Sequence, residues 1–261
     1  MQTSISCCRI LGLAALVMLL QACGDPKSSS TSGPDGGPAP TSKITIALRV
    51  ESGDPRTAVV RTNLNDGRAF STSYRLDGGD YLRACANGIC RNMADNDSVY
   101  APDYIARFDY LPGVDYVVSF NRLQDRNAPN SRVTLPPAFT IVTPANHQQV
   151  SDGDTVLVSW TPTGAPASVA LSYDADCTFL SGSHSYSTGT LSSDSNADGS
   201  ESVSIDPILD FARSSSSSTI TRCSIDVTVS HELQGRIDPA FHKGTALGIV
   251  SREVNLDYVP R

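Results

Sequence analysis

Several stretches of this 261-residue chain carry residue types at spacings that could support chemistry. His231-Glu232-Leu233-Gln234-Gly235 opens as a zinc-binding helix does, with a histidine followed by a glutamate. Two imidazoles one helical turn apart are needed to share the cation, and the second position is Gly235, so a metal there would lack a ligand. Asp194-Ser195-Asn196-Ala197-Asp198-Gly199 sets oxygen donors at alternate positions ahead of a glycine, the way a calcium loop begins. The position that should close the shell with a bidentate glutamate is Ile205, and Glu201 stands too early for that role. The expectation is no metal and no cofactor, with Asp194, Asn196 and Asp198 as the residues calcium would use and a polar hairpin tip as their ordinary role. Asp174 and Asp176 form a carboxylate pair of the kind hydrolysis uses, though such pairs recur in any acidic β protein. There is no G-x-S-x-G elbow, glycine-rich phosphate loop or Cys-His arrangement, and His147, His184, His231 and His242 are scattered, which predicts surface histidines and a protein that is not an enzyme.

The amino terminus has a different chemistry. Ile10 to Leu20 is a continuous apolar run preceded by Arg9, the layout of a cleaved signal segment. It is broken by Gly24, Asp25 and Pro26 before it reaches the roughly 20 residues a membrane-spanning helix needs. Leu20-Gln21-Ala22-Cys23 resembles the lipobox of bacterial lipoproteins, with Leu three residues before the cysteine and a small residue directly before it. The resemblance implies removal of residues 1–22, diacylglycerol on the Cys23 sulfur and an acyl chain such as palmitate on the new amino terminus. It also implies a lipid-anchored envelope protein, in the outer membrane by the family's sorting rule because Gly24 rather than Asp follows Cys23.

Seven cysteines then divide simply. Cys7 and Cys8 leave with the signal, Cys23 carries lipid, and Cys85, Cys90, Cys177 and Cys223 remain for two disulfides in an oxidising compartment. Four cysteines permit three connectivities, and local pairing is expected. Asn87-Gly88 is a strong type I′ turn signal, so Ala86 should oppose Ile89, Cys85 should face Cys90 in the next pair, and Cys177 is left to join Cys223. A formal net charge of −7 at pH 7 argues against nucleic acid, whose phosphates call for a basic stripe. The partners in view are the membrane, through the lipid on Cys23, and a protein or a glycan.

The elements that must position these residues read as strands. Residues 23–42 are dominated by Ser, Gly, Pro, Asp and Thr and predict a flexible tether, whose nineteen residues after Cys23 reach about 24 Å as a coil. Ile44, Ile46, Leu48 and Val50 then alternate with polar neighbours, and the pattern returns at residues 57–64, 81–86, 104–110 and 116–120. Asn65-Asp66-Gly67, Asp77-Gly78-Gly79 and Leu111-Pro112-Gly113 supply the turns between them. Leu135-Pro136-Pro137 marks a boundary, giving one domain over 43–136 and a second over 137–261. Phe139 to Val142, Thr143-Pro144 and the strand 155–160, with Val156, Val158 and Trp160 on one face, resemble the opening of bacterial immunoglobulin-like and fibronectin type III modules. The serine-rich residues 181–218 predict surface loop around one helical turn begun by Asp206-Pro207, with strands again over 220–229 and 246–258.

The expected fold class is therefore all-β, two immunoglobulin-like β-sandwich domains behind a tether. The expected function is a non-enzymatic binding or structural module of the cell envelope. A calcium-assisted adhesin or sugar-binding protein is the second reading, and a hydrolase with a site built from loops is the third.

Overall fold

Period-two alternation turns into buried and exposed sheet faces throughout the computed structural model, which describes residues 39–65, 74–76, 78–96, 102–162, 168–195, 199–214 and 218–261. The strands are β1 (Thr45–Ser52), β2 (Thr57–Asn65), β3 (Tyr81–Ala86), β4 (Ile89–Asn92), β5 (Ala94–Asp95), β6 (Tyr104–Asp109), β7 (Asp115–Asn121) and β8 (Ala128–Thr134). They continue with β9 (Thr140–Thr143), β10 (Gln148–Val150), β11 (Thr155–Thr161), β12 (Ser168–Phe179), β13 (His184–Ser195), β14 (Ser200–Ser204), β15 (Ile220–Gln234) and β16 (Lys243–Tyr258). Among the described residues the one α-helix is α1 (Asp206–Ser214). Its first turn carries Asp206 and its last Arg213, each facing the helix end whose partial charge it opposes.

Three sheets result. A nine-stranded sheet runs β13-β12-β15-β16-β1-β2-β6-β5, with β10 also on β16; a four-stranded sheet runs β4-β3-β7-β8; a three-stranded sheet runs β14-β11-β9. In the large sheet Leu48, Ala246 and Ile225 belong to one buried face, and both smaller sheets pack against that face. Phe108 of β6 meets Tyr116 of β7 edge-on with centroids 5.9 Å apart, which places the four-stranded sheet over β1, β2 and β6. His231 of β15 meets Trp160 of β11 edge-on, which places the three-stranded sheet over the other end. The apolar side chains of all three sheets make one core cluster.

The all-β expectation holds, but the division at 136/137 does not separate two cores. β1, from the first stretch, pairs in parallel with β16, from the second, over Thr45↔Lys243 to Ser52↔Val250, and the described residues on both sides of the division form one compact unit. The physical reason is the length of β16, whose sixteen residues outlast any single sandwich. Its first half serves β1 and its end pairs with β10 through Leu256, Asp257 and Tyr258. The diproline is not a free linker either, because Leu135, Pro136 and Phe139 are buried and Tyr110 donates a hydrogen bond to the Pro136 carbonyl.

Two further expectations need correction. Order begins before Lys43: Ala39 and Thr41 are buried, and a 3-10 turn spans Thr41–Lys43. The serine-rich stretch is not loop either, since it supplies β13, β14 and a nine-residue helix. Ser and Thr hold a strand well when a paired neighbour supplies the apolar face, and β12 does this for β13. Cys85 joins Cys90 and Cys177 joins Cys223, in the register the Asn-Gly turn requires: Ala86 opposite Ile89, and φ positive at both Asn87 and Gly88. Among the described residues, no helix is long and apolar enough to cross a membrane.

Candidate functional site

One face of the large sheet is buried, so the other is open, and at the β13-β12-β15-β16 end it gathers acid. In β12 the inward residues Tyr173, Ala175 and Cys177 leave Asp174 and Asp176 outward. In β15 the inward Cys223, Ile225 and Val227 leave Ser224 and Asp226 outward. Register then sets rows across the face. Asp174 lies between Thr188 of β13 and Asp226 of β15, and Asp226 lies opposite Asn255 of β16. Asp176 lies between Tyr186 and Ser224, and Ser224 lies opposite Asp257. Two aspartates directly opposed across a ladder repel, which a fold does not adopt for stability alone.

The repulsion is partly managed. Asn255 donates from Nδ2 to Asp226 Oδ1 at 2.6 Å and to the Ser224 hydroxyl at 2.7 Å. His184 Nδ1 stands 3.3 Å from Asp176 Oδ1, and His147 Nδ1 stands 3.3 Å from Asp257 Oδ2. Glu253, opposite Thr228, shows what remains: burial first, then the charges of Asp226 and Asp174, raise its carboxyl above the usual range. A hollow of about 440 Å³ opens here, lined by Asp174, Asp176, Asp226, Ser224, Thr188 and the Tyr186 ring among others. Tyr186 is 74% exposed and stacks on His184 with centroids 6.5 Å apart. A second concavity of about 400 Å³ shares Asp176 and Ser224 and continues toward Gln149 and Asp257. The surface thus offers carboxylates, hydroxyls and an aromatic platform side by side, the groups that grip a polyol ring.

The residues marked in the sequence fall unevenly on this site. Asp174 and Asp176 lie at its centre. Cys23, Asn196 and Asp198 lie outside the described residues, and Asp194 is seen only as a backbone position near the end of β13. Among the described residues, no group of three His, Cys, Asp or Glu is placed to hold a metal ion. His231 is not a surface histidine: it lies in β15 at 2% exposure, on the inner face. The alternation of Ile225, Val227 and Val229 carries straight through it, which is the signal that places it inward. Asp226, Glu253, Asn255 and Tyr186 were not singled out by sequence; alternation turns Asp226 outward, but strand neighbours four sequence segments apart give no local sign.

No protein-family model and no curated protein matches the chain. Among solved structures, the fibronectin(III)-like modules of Clostridium thermocellum CbhA align at 11% identity, covering 82% of this chain and 94% of that one, with a TM-score of 0.23. A chimeric titin Z1Z2-Z1Z2 tandem carrying a GRGDS peptide from fibronectin aligns at 10% identity, covering 84% and 96%, with the same TM-score of 0.23. At that score neither likeness bears on this chain's topology or role.

Proposed function

We propose that this chain is a non-enzymatic binding module of a bacterial envelope, anchored through lipid on Cys23, and that its ligand is a glycan held on the open face of β13, β12, β15 and β16. One observation carries the ligand: the exposed Tyr186 ring beside Asp174, Asp176 and Asp226, with the Ser224 and Thr188 hydroxyls, around a hollow of about 440 Å³. A sugar ring presents a C–H face to an aromatic ring and vicinal hydroxyls to carboxylates. The acidic rim favours neutral or amino sugars and repels uronic acids or sialic acids.

The anchor and the face are tested separately. Cys23→Ser is expected to move the protein out of the detergent phase while leaving its far-UV circular dichroism unchanged; a correctly cleaved Ser variant that stayed with detergent would place the anchor elsewhere. With that soluble form, glycan-array binding followed by calorimetry is expected to show a ligand whose affinity falls at least tenfold in Tyr186→Ala and in Asp174→Asn. Equal binding by both variants would move the ligand off this face.

A hydrolase is the second reading, and Glu253 is the observation that favours it, because a carboxyl raised by partial desolvation and by the neighbouring charges of Asp226 and Asp174 is how acid and base roles separate. The face is open to water and lacks an enclosing wall, which favours binding over catalysis. Product release from a bound glycan, abolished by Glu253→Gln with binding retained, would establish the hydrolase in its place.

A further inference from the structure

We propose that His231 is an acid-sensitive latch: proton uptake by its buried ring loosens the three-stranded β14-β11-β9 sheet from the nine-stranded sheet. The ring lies at the seam between them, stacked on Phe139 with centroids 3.9 Å apart and planes 14° apart, and edge-on to Trp160 at 6.2 Å. Phe139 leads directly into β9, and Trp160 lies in β11. Neither Nδ1 nor Nε2 has a hydrogen-bond partner among the described residues, and both are shut off from solvent. A neutral imidazole tolerates such a place as a flat aromatic ring. An imidazolium does not, because it would bring two buried donors and a charge with nothing to receive them.

The charged groups around it give no relief. β9 and β11 carry no ionisable residue, and on β14 Glu201 stands opposite Val158 and lines a hollow with Tyr173 and Leu191 that includes neither Phe139 nor His231. On β12, Asp174 and Asp176 belong to the solvent face, as do Glu232, Asp226 and Arg222 on β15 and Glu253 and Asp257 on β16. On β8, Arg132 is exposed and pairs with Asp115. At the seam itself a cation is close by, the Arg252 guanidinium, 5.7 Å from the Phe139 ring centre.

The sign follows. Burial holds the His231 ring below the ordinary imidazole value, so an opened seam binds the proton better than a closed one. Above about pH 6.5 the ring is neutral in both states and the latch is at full strength. As pH falls below that value, the opening constant rises about tenfold per pH unit until the closed state itself takes up the proton.

Amide hydrogen exchange from pH 7 to 5, corrected for intrinsic rates, tests this on the full mature chain with Cys23→Ser. Below about pH 6.5, amides of β9 and β11 are expected to lose protection about tenfold per pH unit while those of β1 and β2 keep theirs. His231→Phe, which keeps the stack and removes the titration, is expected to abolish that slope. Protection that stays flat in the unaltered protein, or a slope that survives in His231→Phe, overturns the proposal. Should His231→Phe fail to fold, the ring's own NMR titration decides. A ring that protonates in step with the loss supports the latch, and one that protonates without loss, or a loss without protonation, refutes it. Trp160, the one tryptophan in the sequence, gives an independent optical readout of the seam.

Discussion

Arg122 shows how one buried cation organises a region whose sequence gives no hint of it. Its side chain is 1% exposed, with Nε 2.8 Å from Asp80 Oδ2 and Nη1 3.1 Å from Asp125 Oδ2. Nη1 donates to the Ala39 carbonyl and Nη2 to the Tyr74 hydroxyl, and the guanidinium lies over the Tyr74 and Phe120 rings. Every bond matters because a buried charge that loses its partners must bear its desolvation alone. Arg122→Met is therefore expected to destabilise by about 3–5 kcal/mol in urea denaturation, since it strands Asp80, whose side chain is 5% exposed. Adding Asp80→Leu should recover a large part of that loss, and failure to recover would locate the cost in packing instead.

Backbone contact is the second residue-scale constraint. A Cβ on Gly248 would stand 2.3 Å from the Thr134 carbonyl oxygen and 3.0 Å from Val133 Cγ1, so β16 touches β8 there through bare backbone. Gly248→Ala is expected to cost about 1–3 kcal/mol, measured as a shift in the urea midpoint with an unchanged slope. Neither Arg122 nor Gly248 was legible in the sequence. An arginine after an apolar strand reads as a surface charge, and a glycine within a strand reads only as a weak point, because the partners that give each its meaning, Asp80 for Arg122 and Thr134 for Gly248, come from other elements far back in the chain.

Elements were legible where their pattern is local. Residues 44–50 alternate strictly, and Asn87-Gly88 fixes a hairpin, so β1, β3 and β4 and the Cys85–Cys90 bridge could be read directly. β13 could not, since its Ser, Thr and Gly become a strand only by lying against β12. The acidic face was missed for the same reason: Asp174 and Asp176 were visible as a pair, but Asp226 and Asn255 join them by register. The two disulfides should also differ in worth, because a bridge stabilises by restricting the unfolded chain in proportion to the logarithm of the loop it closes. With sequence separations of 5 and 46, removing Cys85–Cys90 as a double alanine variant is expected to cost about 2 kcal/mol and removing Cys177–Cys223 about 4 kcal/mol. The second loss is compounded by position, since Cys177 and Cys223 are buried opposite one another where β12 meets β15. Equal losses from the two bridges would mean that the unfolded chain is not the state they act on.

At the scale of the whole molecule, the question is whether two sheets side by side on one long sheet behave as two domains or one. β16 answers it on contacts: Lys243 to Val250 complete the parallel ladder of β1, and Leu247 to Tyr258 complete the antiparallel ladder of β15. A fragment of residues 43–136 would keep the four-stranded sheet but expose the β1 edge along eight residues, together with the apolar faces that β8 turns toward β15 and β16. Such an edge invites pairing with another chain. That fragment is expected to be unfolded or aggregated when expressed alone, and residues 137–261 alone to lose the ordered start of β16. The intact chain is expected to unfold in a single transition, with tryptophan fluorescence from Trp160 and circular dichroism from all sheets giving the same midpoint. Trp160 lies in the three-stranded sheet, far along the chain from β1, so two separated midpoints would show that the halves fold independently and that the β1–β16 ladder is too weak to join them.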